Sequence, residues 1–116
     1  MQIKKTVRII SVCLLVILLT AVLISCNSTV TVEDVVGLYT GEYEYEENQF
    51  YVTIRLNEDS TYLRMIYKNG EFRSQERGDY EIDGSTVRLY DMTSGAFTEY
   101  RYLNGVLTNN GHKFVR

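Results

Sequence analysis

Residues 37–116 predict an all-β fold, a small eight-stranded up-and-down antiparallel barrel, on three observations. Apolar and polar residues alternate with period two from Gly37 onward, and no window sustains a helical period. Turn signals separate the alternating runs: "NG" at 69–70, "DG" at 83–84, "NG" at 104–105 and "NNG" at 109–111. Such steps favour tight hairpins because both residues accept positive φ. The chain also carries ten tyrosines and four phenylalanines without one proline or tryptophan, a composition suited to pleated, half-buried surfaces.

Each element follows from its alternation. "GLYTGEYEYE" puts Tyr39, Gly41, Tyr43 and Tyr45 on one face and Glu42, Glu44 and Glu46 on the other. "QFYVTIRLN" sets Phe50, Val52, Ile54 and Leu56 against Tyr51, Thr53 and Arg55, and "NEDS" turns the chain. In "TYLRMIYK", Leu63, Met65 and Tyr67 are expected inward and Tyr62, Arg64 and Lys68 outward. "EFRSQER" is charged on both faces, and reads equally as a loop, a mobile edge or the wall of an opening. Gly78 then marks a bulge or bend. Tyr80 and Ile82, Val87 and Leu89, and Tyr100 and Tyr102 continue the inward set, and "VLT" and "HKFV" supply the last two strands. Closing such a meander removes its unpaired edges. With strands of about seven residues, large rings are expected to fill most of the lumen, as a flattened barrel more than a roomy calyx.

The N-terminal third reads differently. "MQIKKTVR" is positive and "IISVCLLVILLTAVLI" carries no charge, the pattern of a secretion signal. As a helix, residues 9–26 would reach about 27 Å, close to the roughly 30 Å of a bilayer core, so hydropathy alone also allows an uncleaved anchor. The tail of the segment, "LISC" at 23–26, resembles the lipobox of bacterial lipoproteins. That resemblance implies diacylglycerol attached to the Cys26 thiol and cleavage before it. The divisions expected are a signal peptide at 1–25, a lipidated cysteine and tether at 26–36, and the barrel at 37–116. Thr31 and Asp34 have the spacing to cap one helical turn within the tether. Cys13 would leave with the signal, and no disulfide framework can be built. The resemblance also implies a location outside the cytoplasm, and Asn27 after the cysteine favours an outer membrane where the cell has one.

Four stretches, "GLYTG" (37–41), "IRLNEDSTYL" (54–63), "GDYEIDGSTVRLY" (78–90) and "YLNGVL" (102–107), resemble the N-terminal domain of NlpE-type lipoproteins and the wider set of lipocalin-like small bacterial lipoproteins. The resemblance implies a lipocalin-like barrel in the envelope. The NlpE type carries a C-x-x-C pair after its first strand, whereas "EYEYEENQFY" here has no cysteine. Copper binding therefore does not carry over, and no cofactor or metal is expected.

Charge and side-chain inventory narrow the function classes. Losing Lys4, Lys5 and Arg8 with the signal leaves nine basic residues against fifteen acidic, a charge near −6. That balance argues against nucleic acid, which needs a basic face. His112 is the one histidine and reads alike as a base, a ligand or a strand-edge residue. No serine lies in G-x-S-x-G, and the acidic set Glu42, Glu44, Glu46 and Glu47 would not converge on a cation, because alternate strand carboxylates stand about 6.8 Å apart. An enzyme is not expected. The expected role is a monomeric binding module at the cell envelope, held to the membrane through Cys26 and engaging an envelope protein or a small apolar ligand. Its site is sought at Phe72, Arg73 and Arg77 with outward Tyr51, Tyr62 and Tyr90, since aromatics and arginine are the usual anchors of interfaces. A structural or stress-reporting lipoprotein without a dedicated small-molecule ligand is the alternative.

Overall fold

The computed structural model describes residues 30–116. The signal segment and Cys26, with the lipidation expected there, lie outside the described residues. Eight antiparallel strands close on themselves in chain order, as the alternation predicts. They are β1 (Gly37–Tyr45), β2 (Asn48–Leu56), β3 (Thr61–Lys68), β4 (Glu71–Asp83), β5 (Thr86–Asp91), β6 (Phe97–Leu103), β7 (Val106–Asn109) and β8 (His112–Val115). One helical turn, α1 (Val32–Val35), precedes them. We call the α1 end of the barrel lower and the β1–β2 turn upper. "EFRSQER" is no loop: it is the first half of the longest strand.

The turns obey their residues at three of the four Asn-Gly or Asp-Gly signals. Asn69–Gly70, Asn104–Gly105 and Asn110–Gly111 each hold two positive φ values, the type I′ geometry that matches strand twist. The β4–β5 loop is Gly84–Ser85, shifted by one from the Asp-Gly step, with positive φ at Gly84. The β1–β2 turn breaks the pattern, because Glu46 and Glu47 sit at φ 49° and 66°. A Cβ in that region costs about 1–2 kcal/mol per residue. Replacing the pair by Asn-Gly is expected to stabilise the barrel by about 1 kcal/mol and raise its Tm by roughly 4–8 °C. A lower Tm in thermal melts followed by circular dichroism would contradict this.

Side chains facing inward form one core: Tyr39, Val52, Ile54, Leu56, Tyr62, Tyr80, Val87, Leu89, Tyr100, Tyr102, Leu107 and Phe114 are all buried. Burying such a side chain contributes about 1.5–3 kcal/mol. A buried tyrosine also needs a partner for its hydroxyl, and each one here has it. Tyr80 donates to the Asn57 carbonyl at 2.6 Å, Tyr62 to Glu76 Oε1 at 2.7 Å, and Tyr100 accepts from Arg64 at 2.8 Å.

The lower end is plugged by the segment expected to be a tether. Thr31 and Asp34 form a capping box around α1, Val30 N–H donates to the Gly84 carbonyl at 3.2 Å, and Val35 is fully buried. Tyr39 and Tyr102 donate to the Val35 and Asp34 carbonyls at 2.5 and 2.9 Å. Arg116 donates to the Asp34 and Val36 carbonyls at 2.6 and 3.1 Å. A cation there suits the negative C-terminal end of the turn. Residues 30–36 thus pack with the barrel.

One strand faces the other way from expectation. Pairing places Leu56 opposite Tyr62, Ile54 opposite Arg64 and Val52 opposite Ile66. Tyr62, Arg64 and Ile66 therefore face inward, and Leu63, Met65 and Tyr67 outward. The register across the 57–60 turn decides this, since a one-residue slip inverts every side chain. An inward arginine is tolerable because Glu76 on β4 lies opposite it.

Candidate functional site

The outer face of β2, β3 and β4 carries the exposed aromatic surface. Tyr51 pairs across to Tyr67, and Tyr67 to Phe72, with ring centroids 5.8 and 6.0 Å apart. Phe72 is 56% exposed. A bulge in β4 sets this row: Ile66 is opposite Ser74 and Tyr67 opposite Phe72, leaving Arg73 as the extra residue. Without it Phe72 would fall opposite Lys68, on the inward face. Bulges commonly re-aim a side chain in this way.

Below the row, at the bend marked by Gly78, lies a recess of ≈ 530 Å³ bordered by Leu63, Arg77, Asp79, Tyr90, Asp91 and Met92. A Cβ on Gly78 would overlap the Tyr90 carbonyl oxygen, so glycine is what lets β5 close against β4 there. Above Gly78, β4 pairs in register with β3 alone, and Met92 N–H ties to the Arg77 carbonyl at 3.0 Å. Tyr90 packs at a tilt against Phe97, ring centroids 5.8 Å apart, and donates to Glu81 Oε1 at 2.5 Å. The Tyr90 and Arg88 hydrogen bonds hold the Glu81 carboxyl below its ordinary pKa. Asp91 is likewise lowered, by the Thr93 backbone and the Ser94 hydroxyl, so its carboxylate is already engaged in its own turn. Among the described residues Arg73 and Arg77 form no ion pair.

The six candidate residues therefore divide. Tyr51 and Phe72 share the aromatic row with Arg73 in the adjacent bulge, and Arg77 and Tyr90 border the recess. Phe72 lies beside Tyr67, not beside Tyr62 or Tyr90. Tyr62 faces inward, not outward as expected: it is 2% exposed and only lines the floor of the recess, its phenol raised above the ordinary range by burial and by its bond to Glu76. Tyr67 and Leu63 were missed for the same reason, having been assigned to the core by the β3 register.

Inside, Arg64 forms an ion pair with Glu76 and donates to Tyr100. Burial alone would lower the Arg64 pKa, but Tyr100 and Glu76 outweigh it and raise it. His112 sits at the upper rim with its ring 4.4 Å from Tyr43. Among the described residues no three His, Cys, Asp or Glu side chains converge to hold a metal, and no helix is long and apolar enough to cross a membrane. The class the fold defines is a small closed antiparallel barrel with a filled lower core. Comparisons with protein-family models, curated proteins and solved structures find no match to this chain.

Proposed function

We propose that this chain is a bacterial envelope lipoprotein, anchored by lipid on Cys26 and facing outside the cytoplasm, whose barrel binds a partner through its outer face. The observation that carries the binding role is the exposed Tyr51–Tyr67–Phe72 row, held by a bulge at Arg73, which has no ion-pair partner among the described residues, and above the Arg77–Tyr90 recess. Rigid aromatics and arginines of this kind supply most binding energy at interfaces.

The lower end supports the geometry of anchoring. Only Asn27, Ser28 and Thr29 separate Cys26 from Val30, a reach of at most about 14 Å. A lipid at Cys26 would hold the α1 end against the bilayer and leave the aromatic row, near the upper β3–β4 turn, turned toward the envelope. Two or three acyl chains would make such an anchor firm, where one is marginal. Cells fed labelled palmitate are expected to incorporate it into the protein, and Cys26→Ser to abolish both labelling and processing. Label retained in Cys26→Ser would refute the anchor.

A further inference from the structure

The upper end of the barrel holds a second recess, of ≈ 310 Å³, on the inner rather than the outer face. Tyr43, Val52, Ile66 and Phe114 give it an apolar wall. Arg64 and Tyr100 also line it, with Arg64 one strand level deeper than Ile66. Small-molecule pockets begin at about 300 Å³, and a dry cavity of about 150 Å³ already holds benzene. A single ring with one polar substituent is the size that fits.

Arg64 decides the chemistry of that substituent. Its charge is already matched by Glu76, and it donates to the Tyr100 hydroxyl at 2.8 Å. Yet its Nε is buried without a hydrogen-bond partner among the described residues, while 16% of the side chain stays accessible. The guanidinium has donors to spare and no charge to spare. A bound anion would place a second carboxylate against a balanced pair, and burying an uncompensated charge costs more than one hydrogen bond returns. Of the other polar groups of the lining, Thr98, Asn109 and Asn110 are neutral, and His112 stands exposed at the rim against the Tyr43 ring. We propose that the mouth of the barrel binds a small uncharged aromatic carbonyl compound, its ring against Tyr43, Ile66 and Phe114 and its oxygen accepting from Arg64.

Benzamide and benzoate have the same shape and differ in charge, so they test this directly. The full chain, ¹⁵N-labelled in detergent micelles, is titrated with each and read by NMR at Arg64 Nε–H and at the Tyr43, Ile66 and Phe114 amides. Benzamide is expected to shift these signals saturably and to bind at least about tenfold tighter than benzoate. Ile66→Trp, which fills the recess, is expected to remove the shifts. Benzoate binding as tightly as benzamide would overturn the charge argument. Absence of saturation, shifts that survive Ile66→Trp, or shifts centred on Leu63 and Tyr90 would overturn the site. The readout lies at the mouth, so failure of the outer-face reading leaves it intact.

Discussion

Gly78→Ala is expected to be among the most damaging single-methyl changes this barrel can receive. Gly78 pairs with Tyr62 on one side and Asp91 on the other, at the point where β4 bends and parts from β5. The atom a methyl would overlap is the Tyr90 carbonyl oxygen, with the Met92 amide nitrogen next to it. Both are backbone, so no rotamer change relieves the contact and two ladders must shift. Overpacking of a tight site costs about 1–3 kcal/mol, sometimes more, and a backbone obstruction belongs at the upper end. A loss of about 3 kcal/mol corresponds to a fall of roughly 12–24 °C in Tm for a domain of this size. A variant melting within about 2 °C of the parent would show that β4 and β5 are not so closely apposed.

Glu76→Ala is expected to cost as much by a different route. It strands Arg64 among Ile54, Tyr62 and Tyr100 and removes the acceptor of the Tyr62 hydroxyl. Breaking a buried pair on one side costs about 3–5 kcal/mol. The two side chains are 16% and 21% exposed, so the loss belongs near about 3 kcal/mol. Removing both charges should behave oppositely. Arg64→Met with Glu76→Leu keeps the volume and leaves no buried charge, and such replacements are often neutral or stabilising. Denaturant melts of the single and double variants measure both. A double variant as unstable as Glu76→Ala would mean that the pair, not its desolvation, holds the upper barrel together.

Most of the architecture was legible because the residues that dictate it act locally. Asn-Gly turns, two-residue alternation and the Thr31–Asp34 cap each specify their own element. What escaped depends on pairing across elements. Whether Tyr62 or Leu63 faces inward is set by how the 57–60 turn registers β3 against β2, and a strand reading Tyr-Leu-Arg-Met-Ile-Tyr is apolar on both faces. An arginine inside a barrel also looks wrong until a glutamate twelve residues on is known to lie opposite it. The packing of residues 30–36 was hidden likewise, because it rests on Tyr39, Tyr102 and Arg116, all from other elements. The outer face was half legible: Phe72, Arg73 and Arg77 stood out by composition, while the bulge that turns Phe72 toward Tyr67 leaves no mark in the sequence.

The outer-face reading is tested most directly by partner capture from solubilised envelopes, comparing the parent with the Phe72→Ala, Arg73→Ala double variant. Both positions are exposed, so stability should change by no more than about 0.5 kcal/mol and the melting curves should overlay. Truncating an interface anchor commonly costs about 2 kcal/mol or more, so recovery of a stoichiometric partner should weaken by about thirtyfold. Equal capture by parent and variant, with both folded, would contradict the account and move the binding surface off the Tyr51–Tyr67–Phe72 row.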